Sequence, residues 1–346
     1  MIFDNVILKL RRFYLKALIT GGAGFIGSNF TEYMLKKHPD YKLTVFDAMT
    51  YASNPETINK FRKNKNFKFI KGDICDFKAV TAAVKGQDMI VHFAAESHVD
   101  RSIAGPEVFI ETNVKGTFNM LEASRLSGVN KFLHISTDEV YGSIKKGRSK
   151  EGDILDPTSP YSSSKASADL IALSYYKTFG LPVVITRSSN NFGPYQHPEK
   201  FMPLFITRAI EGERLPLYGD GKNVRNWIYV EDNCSGLDAV LHKGKNGEIY
   251  NVGGDVEEPN IKVAKCIVEA LCRDEKLIKF VKDRTAHDRR YALDSAKLKK
   301  LGWKPKYGFE EALGLTIQWY ANNDKWWLGM KDKKFDKYLR SNYGKK

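Results

Sequence analysis

Short apolar runs alternate with longer amphipathic segments along the first half of the chain. The runs typical of buried strands are 17–20, 43–46, 67–70, 89–93, 132–135 and 183–186. Apolar positions at helical spacing predict helices over 24–37, 77–84, 108–127 and 161–179. This alternation is typical of βαβ units, so it predicts an α/β fold with a parallel sheet and helices on both faces.

The character of the sequence changes after about residue 188, where proline and glycine become frequent and the predicted elements become shorter. We therefore expect a domain at 16–188 and a smaller substrate-binding lobe at 189–330 that covers the ends of the strands. Strands within about 224–252 are expected to return to the main sheet. Residues 1–15 are interpreted as an N-terminal extension, and 331–346 as a basic tail.

Composition narrows the class of protein. With 42% hydrophobic and 28% charged residues, the chain of 346 residues can form a sizeable core, which excludes a disordered protein. No apolar run approaches the roughly 20 residues that span a bilayer, so we expect no membrane partner. Four cysteines without a C-x-x-C pair fit a reducing compartment, and we expect a cytoplasmic location.

The net charge of +14 is partly concentrated at the C-terminus. Residues 325–346 contain eight lysines or arginines and two aspartates. No nucleic-acid-binding motif accompanies them, so we interpret the tail as solvated and expect no nucleic-acid partner. The seven histidines form no H-E-x-x-H or Cys/His pattern, and no metal is expected.

A glycine-rich motif follows the first predicted strand. Gly22-Ala23-Gly24-Phe25-Ile26-Gly27 matches G-x-G-x-x-G, and Gly21 begins a related G-x-x-G-x-x-G. Between a strand and a helix, such glycines allow a pyrophosphate to approach the helix N-terminus, which indicates a Rossmann-type dinucleotide site. Asp47 lies 20 residues after Gly27, where a carboxylate would bind ribose hydroxyls and repel a 2′-phosphate. NAD is therefore favoured over NADP, with Asp73-Ile74 near the adenine.

Tyr161 and Lys165 form the candidate catalytic pair. Residues at i and i+4 share a helix face, and a neighbouring ammonium would lower the pKa of the phenol. The phenolate could then take a hydroxyl proton while hydride leaves for the nicotinamide. Ser136-Thr137 ends a predicted strand nearby, and a hydroxyl there could hold the same substrate oxygen.

These motifs together resemble the extended short-chain dehydrogenase/reductase family, and the finer strings resemble its dTDP-glucose 4,6-dehydratases. The strings are Ala94-Ala95-Glu96-Ser97-His98-Val99-Asp100-Arg101-Ser102, Ser136-Thr137-Asp138-Glu139-Val140-Tyr141-Gly142, Ser189-Asn190-Asn191-Phe192-Gly193-Pro194-Tyr195, Arg225-Asn226-Trp227-Ile228-Tyr229-Val230-Glu231-Asp232 and His287-Asp288-Arg289-Arg290-Tyr291. The resemblance extends from about Lys16 to Trp326-Trp327. Coverage of this extent is far more specific than any single motif.

The resemblance implies a catalytic cycle and a role for each residue. Tyr161 deprotonates the C4 hydroxyl of dTDP-glucose during oxidation by NAD, and Thr137 polarises the C4 oxygen. Glu139 then removes the C5 proton and Asp138 protonates the leaving C6 hydroxyl. Return of the hydride to C6 gives a 4-keto-6-deoxy sugar nucleotide. A homodimer built on helices 108–127 and 161–179 is also implied.

The family's contact positions can be carried over to this chain residue by residue. Those implied for the cofactor are Gly21, Gly24, Phe25, Ile26, Gly27, Asp47, Ala48, Met49, Thr50, Asp73, Ile74, Phe93, Ala94, Ala95, Ser97, Thr112, Tyr161, Lys165 and Asn191. Those implied for the substrate are Ser97, His98, Thr137, Asn190, Lys200, Phe201, Pro216, Leu217, Tyr218, Arg225, Asn260, Arg284 and His287.

Three alternatives remain open at this point. A sugar-nucleotide 4-epimerase would share the cofactor site and the Tyr/Lys pair but would not need Asp138-Glu139. A dehydratase for UDP-, GDP- or CDP-glucose is a second possibility, because Asp283-Arg284-Thr285-Ala286-His287-Asp288 has Thr-Ala where the family commonly has Pro-Gly. A non-enzymatic cofactor sensor or nucleic-acid-binding protein is supported only by the basic tail.

Overall fold

The computed structural model describes residues 15–344, so most of the predicted N-terminal extension lies outside the described residues. The strands are β1 (Lys16–Thr20), β2 (Lys42–Asp47), β3 (Phe67–Lys71), β4 (Met89–His92), β5 (Lys131–Thr137), β6 (Val183–Ser188), β7 (Asn190–Phe192), β8 (Leu215–Tyr218), β9 (Val224–Tyr229), β10 (Ile249–Val252), β11 (Val256–Pro259) and β12 (Ile278–Val281).

The α-helices surround these strands. They are α1 (Phe25–Lys37), α2 (Pro55–Asn59), α3 (Phe77–Val84), α4 (Val99–Ala104), α5 (Glu107–Phe109), α6 (Thr117–Ser127), α7 (Pro160–Phe179), α8 (Phe201–Ile210), α9 (Val230–Lys243), α10 (Asn260–Ala270), α11 (Ala296–Lys299), α12 (Phe309–Asn322), α13 (Asp324–Leu328) and α14 (Lys333–Tyr343). A π-helix, Ile110–Gly116, joins α5 to α6, and 3₁₀ turns cover Asp138–Tyr141 and Glu275–Leu277.

Seven strands form the central sheet in the order β10-β6-β5-β4-β1-β2-β3. All of its strand pairs are parallel. The order reverses between β1 and β4, and ligands of such sheets bind outside the carboxyl ends of the strands at this switch point. The predicted α/β architecture with a parallel sheet is therefore confirmed.

The two strands expected to return to the main sheet behave differently. β10 pairs with β6 in the central sheet, as expected. β9 does not join that sheet, because it pairs with β7 and β11 in a separate three-stranded sheet. Its side chains alternate between two cores: Ile228 packs in the core of the central sheet, whereas Trp227 and Tyr229 pack in that of the second lobe. A strand that serves two cores lies at their junction.

The central sheet is covered on both faces by apolar clusters. One cluster includes Ile19, Val45 and Leu237, and the other includes Leu18, Ile90 and Phe132. Consecutive residues Leu18 and Ile19 thus point to opposite faces, as strand geometry requires. A third cluster in the second lobe packs α8, α10 and α12 around β8 and contains the fully buried Tyr320.

The turn between β1 and α1 explains the glycine-rich motif. Gly21 has φ +68°, a left-handed conformation that side chains disfavour. A Cβ on Gly27 would lie 2.3 Å from the carbonyl oxygen of Gly21, so the first turn of α1 packs directly on the strand end. Gly24 caps the helix without a side-chain hydrogen bond, which leaves the backbone N–H groups of the first turn directed into the cleft.

The sequence suggested a solvated C-terminal tail, but the structure shows a helix there, α14, with buried side chains. Asp332 caps α14 through the backbone N–H groups of Lys334 and Phe335. Phe335 and Tyr338 are buried against the second lobe and the cleft. Within residues 15–344, no helix combines the length and apolarity that a membrane crossing needs.

Candidate active site

Two adjoining cavities open at the carboxyl ends of β1, β2, β4 and β5. The first is lined by the β1–α1 turn, the loops after β2, β3 and β4, and Tyr161 and Lys165 of α7. The second lies between the loop after β4 and the second lobe. Ser97, Glu199 and Lys200 line both cavities, so the two form one continuous cleft.

The structure brings nearly all the predicted cofactor residues to the first cavity. Those that line it are Gly21, Gly24, Phe25, Ile26, Gly27, Asp47, Ala48, Thr50, Asp73, Ile74, Phe93, Ala94, Ala95, Ser97, Thr112, Tyr161 and Lys165. Asn191 lines the second cavity instead. Met49 is absent from both linings; its backbone has φ 58°, and its N–H donates to Asp47 at 2.7 Å, so it shapes the loop.

Asp47 is fixed by the backbone around it. Its carboxylate accepts hydrogen bonds from the N–H groups of Ala23 (2.9 Å) and Met49 (2.7 Å) and from the hydroxyl of Ser53 (3.1 Å). Burial raises the pKa of Asp47, while these donors oppose the shift. Within residues 15–344, no arginine lines the first cavity. The glycine turn and the carboxylate fit a dinucleotide with free ribose hydroxyls.

Thr112 reaches the first cavity from the π-helix that replaces part of the expected α-helix at 108–127. Insertion of a wider turn re-aims side chains, and such turns are frequent at functional sites. A Cβ on Gly116 would lie 2.5 Å from the side chain of Ile74, so glycine allows the π-helix to approach the loop after β3. The predicted helix thus exists but is interrupted where it passes the cofactor cavity.

Tyr161, Lys165 and Asp169 occupy successive turns of α7. Ser159 caps this helix through a capping box, and Pro160 is its first residue, which fixes the start of the helix. The Lys165 ammonium donates to the carbonyl oxygen of Ile135 at 2.7 Å. Burial lowers the pKa of Lys165 to about 8, and the carboxylate of Asp169 opposes this shift.

Asp169 is itself held by two buried basic side chains. The guanidinium of Arg187 donates to it at 2.9 Å, and His134 lies 3.3 Å away. The pKa of Asp169 is lowered although burial alone would raise it, because His134 and Arg187 stabilise the carboxylate. Lys165 therefore has a buried, ionised carboxylate one helical turn away.

The expected lowering of the tyrosine pKa is not what the structure shows. Burial raises the pKa of Tyr161, repulsion by Glu139 adds to this, and a hydrogen bond with Thr137 opposes it. Lys165 is engaged by Ile135, and its charge is not among the leading influences on the phenol. Desolvation thus outweighs the Tyr/Lys coupling that the i, i+4 spacing suggested.

Asp138 and Glu139 begin the 3₁₀ turn that follows β5 directly. Burial raises the pKa of Asp138 to about 8, and repulsion by Glu139 adds to the effect. Burial also raises the pKa of Glu139, but Arg284, Lys200 and Arg225 oppose that shift. Glu139 lines the second cavity, whereas Thr137 and Asp138 are buried and are not among the residues that line it.

Every other predicted substrate residue lines the second cavity. These are Ser97, His98, Asn190, Lys200, Phe201, Pro216, Leu217, Tyr218, Arg225, Asn260, Arg284 and His287. Several buried polar atoms there have no hydrogen-bond partner, including Nε of Arg284 and Oδ1 of both Asn190 and Asn260. Because unpaired buried polar groups are costly, the two amide oxygens fit hydroxyl or N–H donors of a ligand, and the Nε–H of Arg284 fits an anionic acceptor.

Sequence reasoning missed two tyrosines of the C-terminal helix. Tyr338 and Tyr343 on α14 line the second cavity. The hydroxyl of Tyr338 donates to Asp100 at 2.9 Å, and the ring of Tyr343 lies 5.1 Å from that of Tyr218. The spacing of Phe335, Tyr338 and Tyr343 indicates a helix with an aromatic face, but the surrounding lysines led to the prediction of a solvated tail.

The sequence also did not identify Arg101 and Glu199 as residues of the site. Arg101 lies within one of the strings that resemble the family, and Glu199 directly precedes the predicted substrate residue Lys200. Arg101 donates three hydrogen bonds of 2.7–3.2 Å to Glu199, which is 2% exposed. The guanidinium also stacks 3.9 Å from the ring centroid of Tyr51. This ion pair ties the loop after β2, helix α4 and the second lobe together between the two cavities.

Comparison with known proteins identifies the family. The family model described as GDP-mannose 4,6 dehydratase matches residues 18–316. The low-salt glycan biosynthesis protein Agl12 of Haloferax volcanii is 51% identical, over 90% of this chain and 100% of its own length. A dTDP-glucose 4,6-dehydratase of Streptomyces antibioticus is 46% identical, over 92% of this chain and 96% of its own length.

A solved structure agrees with these relatives. The dTDP-glucose 4,6-dehydratase DesIV of Streptomyces venezuelae, solved with NAD bound, superposes with a TM-score of 0.90. It is 46% identical, covering 92% of this chain and all of its own chain. Together with the geometry of the cleft, these matches show that the chain is a dehydratase and belongs to the dTDP-glucose 4,6-dehydratase family of extended short-chain dehydrogenases/reductases.

Proposed function

We propose that the protein converts dTDP-glucose to dTDP-4-keto-6-deoxyglucose and water, as an NAD-dependent hydro-lyase. The observation that carries this proposal is the pair Asp138-Glu139 at the end of β5, whose two carboxyl groups are buried in different electrostatic surroundings. Elimination of water needs one proton donor and one proton acceptor close together, and two neighbouring carboxyls in different surroundings can supply both.

The residues divide the work as follows. NAD, when bound, accepts hydride from C4 and returns it to C6. Burial raises the pKa of Tyr161, and it is the phenolate form that takes the proton of the C4 hydroxyl, while Thr137 donates a hydrogen bond to the same oxygen. Once C4 is a ketone, the C5 proton is acidic, and ionised Glu139 removes it. Asp138 keeps its proton near neutral pH and delivers it to the departing C6 hydroxyl.

Charge in the second cavity suits the diphosphate of the substrate. Arg225 and Arg284 offer guanidinium groups, and Lys200 lies at the junction with the cofactor cavity. Guanidinium forks bind phosphate oxygens in pairs, which orients the sugar toward Glu139. Tyr218, Tyr338 and Tyr343 would enclose the base beside Pro216-Leu217.

The 4-epimerase alternative uses the same cofactor and the same Tyr/Lys pair. It leaves the buried proton on Asp138 without a purpose, because epimerisation moves only hydride and the C4 hydroxyl proton. The dehydratase reaction uses both carboxyls.

A cytoplasmic location, suggested by the four free cysteines, and the domain division at about residue 188 remain predictions.

The direct test is turnover of a panel of nucleotide sugars. We expect dTDP-glucose to lose one water, read by product mass, and the product to develop ultraviolet absorbance in strong alkali. UDP-, GDP- and CDP-glucose are the matched comparisons and should react more slowly. Formation of a C4 epimer of unchanged mass would contradict the proposal.

Glu139→Gln should separate the half-reactions. The amide cannot take the C5 proton, so exchange of C5 hydrogen with solvent deuterium should stop. Reduction of bound NAD⁺ should persist, because Tyr161 remains intact. Stopped-flow absorbance of NADH and deuterium incorporation measure the two steps. An equal loss of both would remove Glu139 from the assigned role.

Asp138 should set the alkaline limit of activity. Because its raised pKa of about 8 keeps it protonated at neutral pH, kcat should fall as the pH rises through about 8. Asp138→Asn should lose the acid, slow turnover by roughly 10²–10⁴-fold and remove this titration. Cofactor content of the variant serves as the control for folding. An unchanged kcat and alkaline limb in Asp138→Asn would contradict the assignment.

We also propose that the protein is a homodimer. Helices α5–α7 and the π-helix expose a set of large apolar side chains, which are Val108, Ile110, Phe118, Leu126, Leu170 and Phe179. Leu170 is 59% and Phe179 54% exposed, the helices that carry the set pack against one another, and exposed apolar surface of this kind marks an interaction site. Two copies could bury these helices against each other around a two-fold axis.

Leu170→Glu should convert the dimer to a monomer, because it would place two charges in the apolar interface. Leu328→Glu is the matched control, since Leu328 is 48% exposed on α13 in the other lobe. Light scattering after size exclusion gives the mass of each variant. A monomeric wild type, or a dimer unaffected by Leu170→Glu, would place assembly elsewhere.

A further inference from the structure

Three side chains with metal-binding atoms meet on the surface far from the cleft. His38 ends α1, while Asp238 and His242 lie one turn apart on α9. Nε2 of His38 is 2.8 Å and Nδ1 of His242 is 2.9 Å from the same oxygen, Oδ1 of Asp238. The two imidazole rings lie side by side, with centroids 4.8 Å apart. Both rings therefore direct a nitrogen to one carboxylate.

This arrangement is close to the geometry of a transition-metal site. The three ligand atoms all lie within 4.8 Å of one another. Ligand atoms at the usual 2.0–2.2 Å from a tetrahedral zinc ion are about 3.3 Å apart, so modest side-chain rotations would suffice. Two imidazoles and a carboxylate form a known type of zinc ligand set, and the partial exposure of the cluster leaves room for water as the fourth ligand.

An outer partner already orients one of the rings. The hydroxyl of Tyr41 lies 2.9 Å from Nε2 of His242, opposite the nitrogen that faces Asp238. Metal-bound histidines usually donate their second N–H to such a partner, which fixes the tautomer. Nδ1 of His242 also lies 2.9 Å from the backbone oxygen of Asp238, and that contact would have to be given up for coordination.

The position of the cluster separates it from catalysis. α1 runs from the carboxyl end of β1 back to the amino end of β2, so His38 lies at the edge of the sheet opposite the cleft. α9 packs along α1 and ends before β10. A metal here would fasten two helices that cover one face of the central sheet.

We propose that His38, Asp238 and His242 form a binding site for a divalent transition metal of the zinc type, which links α1 to α9. Coordination replaces the two imidazole–carboxylate hydrogen bonds with metal–ligand bonds. The sequence pattern could not show this site, because 200 residues separate His38 from Asp238. The rival is a cluster held by hydrogen bonds alone, and the experiment distinguishes the two.

Cobalt(II) is the probe, added to the full-length protein after removal of bound metals with a chelator. One equivalent should give visible d–d absorption bands typical of a tetrahedral nitrogen/oxygen site, and Zn²⁺ should displace them. No thiolate charge-transfer band should appear in the near ultraviolet, which distinguishes this site from binding at a cysteine. Zn²⁺ should also raise the melting temperature, because it binds the folded state.

Asp238→Asn and His38→Gln should each weaken cobalt binding by at least the ~10–100-fold typical of losing even an outer partner. Tyr41→Phe is the matched control; it keeps all three ligands and should lose less affinity. Turnover of all three variants should match the wild type, since the cluster lies outside the cleft. The proposal would be overturned, in favour of hydrogen bonds alone, if the wild type showed no saturable cobalt binding. It would also be overturned if Asp238→Asn and His38→Gln bound cobalt as tightly as the wild type.

Discussion

Exclusion of water at the end of β5 is the constraint on which the active site depends. Asp138 and Glu139 are neighbours in sequence, so they cannot move far apart, and both are withdrawn from solvent. Two adjacent buried carboxyls cannot both ionise easily, and one of them must keep its proton. Arg284 and Lys200 favour the charge on Glu139, so the proton stays on Asp138. In the proposed reaction, the division of roles between acid and base thus follows from where the cations lie.

Burial away from water also affects the residues that lie beneath Tyr161, and it explains why several of them are charged. Lys165 is buried and would lose its proton near neutral pH without an opposing charge. Asp169 provides that charge one turn away, and Arg187 and His134 hold Asp169 in its ionised form. Alternating charges therefore run from α7 to β6 through Lys165, Asp169 and Arg187, and His134 of β5 lies beside Asp169. Buried ions of this kind are tolerated because each has a partner of opposite charge.

Strand and helix positions in the first domain were predictable because their pattern is local. Apolar runs bounded by glycine or polar residues gave β1 to β6 within about two residues at each end, and the glycine motif located the cofactor cavity. The predictions that failed concerned features that depend on residues far apart in the sequence. β9 serves two cores, so its alternation could not tell which sheet it joins. The pKa of Tyr161 depends on burial and on Glu139, whereas the i, i+4 spacing in the sequence indicates only that Lys165 is near.

The C-terminal helix shows why charge composition misleads when it is separated from periodicity. α14 is rich in lysine, yet Phe335, Tyr338 and Tyr343 face the second lobe and the cleft. A helix can carry cations on its solvent face and still close a cavity with its aromatic face. Tyr338 and Tyr218 both donate to Asp100, which also lies 3.4 Å from Arg284. The position of Arg284, the proposed ligand of the diphosphate, is thereby coupled to α14. In the proposed function, the enclosure of the substrate depends on residues that sequence composition alone assigns to solvent.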